Sequence, residues 1–325
     1  MKILVTGASG FIGSNLTERL LKEKHEVIGI DIDFEKRHLL KEVIPEGTEM
    51  KDGQLNRITN NFSMIWDDIN NISSYYSVLD DVDEVYHLAA SADIKISFKN
   101  PKIDFKNNVL GTNEILELIR KKEIKKLVFS SSSAIYGECG VYPTPETVTN
   151  VRPISLYGSS KLASEVFMHV YSDLYNVKTW IFRFANVVGR HEHRGVIPDF
   201  YRKLKKNPKE LEILGDGNQQ KSYFDVSDCI NGLIEIPKMD DNKGSEVYNL
   251  GYDTTIKVKD LADVVSDELG ISPEYKFTGG DRGWKGDIPV SILDISKALK
   301  AGWKPKYDVE KAIIKTVNYL QDNLE

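Results

Sequence analysis

The chain has 325 residues, of which 41% are hydrophobic and 28% charged, an ordinary globular composition that excludes a disordered or fibrous protein. Its 43 Lys and Arg against 49 Asp and Glu leave a formal net charge of -6 with no basic block, so neither nucleic acid nor an anionic membrane is favoured as a partner. No apolar run reaches membrane-spanning length, no leader pattern opens the chain, and Cys139 and Cys229 make neither a disulfide framework nor a zinc pattern, so a reduced, cytoplasmic protein is expected.

Short β-branched or aromatic runs at residues 3–6, 27–30, 84–88, 127–131 and 179–183 alternate with helical patterns, among them 14–22, 108–122 and 159–175. Such alternation predicts an α/β fold with a doubly wound parallel sheet, and the nearly continuous apolar character of the runs fits strands covered on both faces. Residues 34–64 read as a long polar connection near the carboxyl end of the second strand. After Arg183 the chain becomes rich in Gly, Pro, Asn and basic residues around one helix at 198–206. Another strand-like run follows at 247–251. Val258, Leu261, Val265 and Leu269, and then Val309, Ile313, Val317 and Leu320, recur at helical spacing and predict core helices of a smaller second domain.

Three groups of residues carry chemistry. The first strand runs into Gly7-Ala8-Ser9-Gly10-Phe11-Ile12-Gly13 and then a helix. Glycines there permit a tight turn and close approach of a diphosphate, while the helix amino terminus offers N–H groups to the anion. Asp31 ends the next strand, where a carboxylate can hold the adenine ribose hydroxyls and would repel a 2′-phosphate, which favours NAD over NADP. Tyr157 and Lys161 are four residues apart, on one face if the segment is helical. A phenol is a poor base at neutral pH, and a nearby ammonium, joined by a positive nicotinamide ring, would favour its ionised form. Ser132 lies in a run of four serines at the end of the strand expected beside that helix, facing the ligand crevice.

Together with Asp68-Ile69, His87-Leu88-Ala89-Ala90, Arg183-Phe184-Ala185-Asn186, Gly215-Asp216-Gly217 and Gly286-Asp287-Ile288-Pro289, these groups resemble the extended short-chain dehydrogenase/reductase family over nearly the whole chain. Within that family the sequence is most similar to the NAD-dependent UDP-glucose 4-epimerases. The resemblance implies a Rossmann-type sheet with a smaller, discontinuous α/β substrate domain, NAD as cofactor, a UDP-sugar substrate and a homodimer. It places the NAD-binding domain at residues 1–183 plus about 222–250, and the substrate domain at about 184–221 plus 251–325.

Carried over by position, the resemblance implies Ser132, Tyr157 and Lys161 as the catalytic set. Gly7, Gly10, Phe11, Ile12, Gly13, Asp31, Asp68, Ile69, Ala89, Ala90 and Asn107 or Asn108 would join Tyr157 and Lys161 around NAD. On the substrate side it implies Asn186, Val196, Glu212, Leu214, Lys221, Tyr223 and Asp287, besides Ser132 and Tyr157. Trp284 replaces the family's usual arginine, leaving Arg282 or Lys285 as the substitute cation, and Lys221 stands where many relatives have Arg. Sugar-nucleotide dehydratases carry an Asp-Glu pair where this chain has Ser133 and Ala134, which disfavours elimination. Related epimerases with a bulky Tyr at the position of Ser291 restrict the sugar's 2-substituent, so the resemblance implies room here for a 2-N-acetyl group. UDP-glucuronate epimerisation, nucleotide-sugar reduction and an NAD-sensing regulator are the competing readings. His191 and His193 have no third ligand in view and are read as structural, with no metal expected.

Overall fold

Eight strands form the main sheet of the computed structural model, which describes residues 1–284 and 286–323. They are β1 (Lys2–Thr6), β2 (Glu26–Asp31), β3 (Leu55–Thr59), β4 (Phe62–Trp66), β5 (Glu84–His87), β6 (Lys126–Ser132), β7 (Lys178–Phe184) and β8 (Ser245–Leu250), in the order β8-β7-β6-β5-β1-β2-β4-β3. β1 pairs in parallel with both β2 and β5, β2 with β4, and β5 with β6. The chain therefore winds outward from β1 in both directions, and the reversal between β1 and β5 opens a crevice at their carboxyl ends. Ile3, Leu4 and Val5 of β1 are fully buried, as a strand in mid-sheet with both faces covered requires.

Helices α1 (Phe11–Lys22), α2 (Gly111–Lys122) and α3 (Leu156–Tyr175) cover this sheet. Ile115, Leu116, Leu118 and Ile119 of α2 and Met168 of α3 join Leu4, Ile28, Val85, Leu127 and Ile181 from the strands in one core. The segment 34–64, expected to be a polar connection, instead holds a 3₁₀ turn at Phe34–Leu40 and the antiparallel hairpin β3–β4. β3 is a half-buried edge strand of mixed polarity, too weakly patterned to read as a strand.

The chain separates into two compact units, one of Met1–Ile135, Ser155–Phe182 and Asp240–Val247, the other of Tyr136–Ile154, Arg183–Met239 and Tyr248–Glu325. The expected boundaries put residues 136–154 and 222–239 in the first unit, and both pack in the second. Tyr223–Asp225 pairs in parallel with Asn186–Val188, and the Thr144 N–H donates to the Ile292 carbonyl at 2.9 Å, which ties each segment to that unit. Helices α4 (Val196–Lys206), α5 (Val226–Met239), α6 (Val258–Glu268) and α7 (Val309–Asn323) build the rest of it. Leu261 and Val265 meet Val309, Ile313, Val317 and Leu320 in the core of this unit, the faces that helical spacing marks out.

Candidate active site

The Gly7 N–H donates to the Ile30 carbonyl at 2.8 Å, which fastens the turn after β1 to the end of β2. Gly7 has φ +72°, and a Cβ there would lie 2.8 Å from the Ala89 backbone nitrogen; one on Gly13 would lie 1.9 Å from the Gly7 carbonyl oxygen. Gly10 starts α1 with no side-chain cap, which leaves the first N–H groups of the helix without a side-chain acceptor. Asp31 closes the turn: its carboxylate accepts from the Ser9 N–H at 3.0 Å and the Asp33 N–H at 3.1 Å. The buried Ser9 hydroxyl has no hydrogen-bond partner among the described residues. An uncapped helix terminus, a carboxylate at the neighbouring strand end and an unsatisfied hydroxyl fit the diphosphate and ribose of a dinucleotide.

The other expected cofactor residues lie in the segments after β4 and β5 and in the turn before α2. The Ala89 N–H donates to the Thr6 hydroxyl at 3.2 Å, at the end of β5, and Ala90 follows it. Ile69 is buried beneath Gly111, and the Asp68 carboxylate accepts from the Asn70 N–H at 3.0 Å and pairs with Lys106 at 3.0 Å. A π-helical turn, Phe105–Leu110, precedes α2 and carries both asparagines. Asn108 is buried and committed: it exchanges hydrogen bonds with the Ser91 backbone and donates to the Ser160 hydroxyl at 2.8 Å. Asn107 stays half-buried.

Ser132, Tyr157 and Lys161 converge. Ser155 caps α3 by accepting from the Gly158 N–H at 3.1 Å, so the helix includes Tyr157 and puts it one turn from Lys161. The Tyr157 phenol is hydrogen-bonded to Ser132. Lys161 is buried, its Nζ donating to the Ser130 carbonyl at 2.7 Å and lying 4.6 Å from the centre of the Phe129 ring. Burial brings the Lys161 ammonium down to about 7, although Glu165 opposes the shift. Crowding of protein around the Tyr157 hydroxyl outweighs the Ser132 bond and, with a smaller push from Asp104, raises it to about 12. His87, read as a family signature, turns out to be a fully buried neutral imidazole between Thr6 (2.7 Å) and Thr112 (3.0 Å), held down to about 3 by burial and then by Lys161.

In the second unit, Asn186 donates to the Ser222 carbonyl at 2.9 Å, and Tyr223 is its register partner, a buried phenol raised by desolvation. Lys221 pairs with Asp287 at 2.6 Å and also reaches the Ile288 carbonyl. Arg282 forks onto Glu138 at 2.7 and 3.2 Å and donates to the Asp287 carbonyl at 3.1 Å. Lys221, Arg282 and Asp287 thus form one cluster, whereas Lys285 lies outside the described residues. Val196 opens α4 after Gly195, Leu214 offers its carbonyl to Gln219 at 3.3 Å, and the Glu212 carbonyl and carboxylate are both engaged by Lys203. His191 packs edge-on against Tyr319, and no group of three or more metal-binding side chains is assembled among the described residues. The sequence reading missed Glu138 and Glu165. Helical spacing from Lys161 marks Glu165, but nothing in sequence marks Glu138, which is 144 residues from Arg282.

Residues 3–251 match the NAD dependent epimerase/dehydratase family, and the chain belongs to it. It is an NAD-dependent enzyme with a Rossmann-type sheet. A putative UDP-glucose 4-epimerase of Methanocaldococcus jannaschii is 33% identical over 327 residues, spanning 99% of both chains. The solved UDP-glucose 4-epimerase of Thermotoga maritima, with UDP-glucose, superposes with a TM-score of 0.85 at 30% identity over all of both chains. The UDP-glucuronic acid 4-epimerase of Bacillus cereus, with UDP-glucuronic acid and NAD, reaches 0.87 at 28% identity over 99% of both.

Proposed function

We propose that this protein inverts C4 of a UDP-hexose reversibly through a transient 4-keto sugar, acting on UDP-glucose and UDP-galactose and also on the N-acetylated pair. The observation that carries this reading is the Ser132–Tyr157–Lys161 constellation at the end of β6, beside a dinucleotide-binding turn and with no carboxyl at Ser133 or Ala134 to drive elimination. NAD, held by the proposed cofactor residues, would supply hydride acceptance and return at C4. Tyr157 takes the 4-hydroxyl proton as that bond breaks, Ser132 donates a hydrogen bond to the reacting oxygen, and Lys161 stabilises the phenolate state of Tyr157. After the keto sugar turns over, Tyr157 restores the proton on the opposite face.

The proposed cofactor residues are Gly7, Gly10, Phe11, Ile12, Gly13, Asp31, Asp68, Ile69, Ala89, Ala90 and Asn107. Asn108 acts behind them through Ser91 and Ser160. Lys221, Arg282 and Asp287 are proposed to hold the UDP diphosphate and ribose, with Asn186, Val196, Glu212, Leu214 and Tyr223 around the nucleotide. The test is to incubate the purified protein separately with UDP-glucose, UDP-N-acetylglucosamine and UDP-glucuronate, without added reductant, and resolve the products. Four-epimers of the first two at unchanged mass are expected. A stable keto product or a stoichiometric NADH requirement overturns the reading. Epimerisation of UDP-glucuronate alone moves the assignment to the second reading, which the likeness to the Bacillus cereus enzyme favours.

We also propose a homodimer. Val166, Phe167, Val170 and Leu174 form an apolar ridge on α3 and are 46% to 68% exposed. A second copy offers the self-complementary ridge that would cover it. Phe167→Glu should halve the mass measured by light scattering.

A further inference from the structure

Strand β6 and helix α3 are braced at three consecutive strand residues. The Ser130 carbonyl accepts from Lys161, the Ser131 hydroxyl donates to Glu165, and Ser132 is bonded to Tyr157. The outer two braces hold the proton-transfer pair, and the middle one holds a carboxylate that the proposed chemistry does not use. Lys161 and Glu165 are one helical turn apart on the same face, 2% and 1% exposed. We propose that Glu165 is a positioning residue for proton transfer, its Ser131-oriented carboxylate keeping Lys161 charged and in register with Tyr157. This deepens the epimerase reading and rests on Tyr157 and Lys161 being the proton-transfer pair.

An ammonium taken out of water loses several kcal/mol of hydration unless charge and hydrogen bonds replace it. Around Lys161, β6 offers the Ser130 carbonyl and the face of Phe129, which supply one hydrogen bond and a weak cation–π contact. β5 presents His87, neutral and stacked on the same Phe129 ring at 5.5 Å, so it adds no charge. On α3 itself stand the neutral Tyr157 phenol and Glu165. Asp104, ahead of the π-helical turn, acts on Tyr157. Glu165 supplies the compensating negative charge, and its opposition to the burial effect on Lys161 has the required sign. The Ser131 hydroxyl donates to the Glu165 carboxylate and fixes its orientation on the helix face it shares with Lys161.

Two variants separate the electrostatic role from a merely structural one. Glu165→Gln keeps an acceptor oxygen for Ser131 and removes the charge, and Ser131→Ala keeps the carboxyl and removes its donor. With protein labelled at the lysine Cε by 13C, the Lys161 resonance, assigned by its loss in Lys161→Met, reports the ammonium titration without any substrate. In Glu165→Gln the midpoint should fall by about one pH unit or more, with a smaller fall in Ser131→Ala. The alkaline limb of kcat should move to lower pH with it, so that activity lost at pH about 8 returns near pH 6, while KM holds. An unmoved Lys161 midpoint in Glu165→Gln, or an equal loss of kcat at every pH, overturns the inference. Should Glu165→Gln fail to fold, an unshifted midpoint in Ser131→Ala overturns it instead. Failure of the wild type to turn over any UDP-sugar would sink the epimerase reading and leave the titration intact as a test of the Lys161–Glu165 coupling.

Discussion

Lys161 and Lys221 are both cations proposed to serve the reaction, and the protein holds them in opposite ways. Lys161 sits on a helix of 20 residues, buried against a carbonyl and an aromatic face, with its ammonium depressed to about 7. Lys221 sits on a strand of two residues and is ion-paired with Asp287, beside an Arg282 that is itself forked onto Glu138. In the first unit the cation is fixed before any ligand arrives and bears the desolvation cost alone with Glu165. In the second the cations are already neutralised, so an incoming anionic group has to displace or share their partners. The first arrangement is suited to a transition state and the second to reversible binding of a nucleotide.

Mutations should break this contrast along the kcat and KM axes. The largest effect is expected for Tyr157→Phe, which removes the proton carrier and leaves the Gly-rich turn intact: kcat should drop by about 10³-fold or more while NAD remains bound, as judged by absorbance of the released nucleotide. Near-normal turnover would remove Tyr157 from the chemistry. Lys161→Met comes next, with kcat down by roughly 10²-fold and KM little changed. Lys221→Met should act on the other axis, raising KM by about 10-fold with kcat nearly constant, because the proposed diphosphate contact would be shared by ground state and transition state. A fall in kcat without a rise in KM would mean that Lys221 does not serve ground-state binding.

The same contrast decides what could be read from sequence. The Gly7–Gly13 turn, Asp31 and the Tyr157/Lys161 spacing are local: each is set by one strand end or one helical turn, and those elements form where the patterns predict them. The substrate side depends on long-range pairing. Lys221 meets Asp287 across 66 residues, and Arg282 meets Glu138 across 144, so sequence marks the cations without showing that each already has a carboxylate. The division into units is hard to read for the same reason, since residues 136–154 join the second unit through contacts with Ile292 that no local pattern announces. The hairpin of β3 and β4 escaped because its edge strand alternates weakly and its partner, Phe62–Trp66, is a five-residue run inside a polar stretch. Tyr157 shows a further limit: its spacing from Lys161 is legible, and the crowding around its hydroxyl, which outweighs the Ser132 bond, is not.

His87 provides the smallest and most general test of this dry centre, because it carries no assigned chemical role. Its imidazole is locked between two threonine hydroxyls and held neutral at about 3, where an unfolded chain would have its ordinary value of 6.5. Between those values the unfolded state binds a proton that the folded state refuses, so stability is complete above pH 6.5 and is lost as pH falls toward 3. The slope from this one residue is about 1.4 kcal/mol per pH unit, resolvable by urea titration between pH about 4 and 7. His87→Gln keeps a donor and an acceptor for Thr6 and Thr112 and removes the titration, so its stability should fall less steeply with acid even if it is lower at neutral pH. Parallel slopes for the two proteins would mean that the centre admits a proton readily, and the same hydration would then reach Lys161, whose Nζ is bonded to the strand that lies directly beside β5.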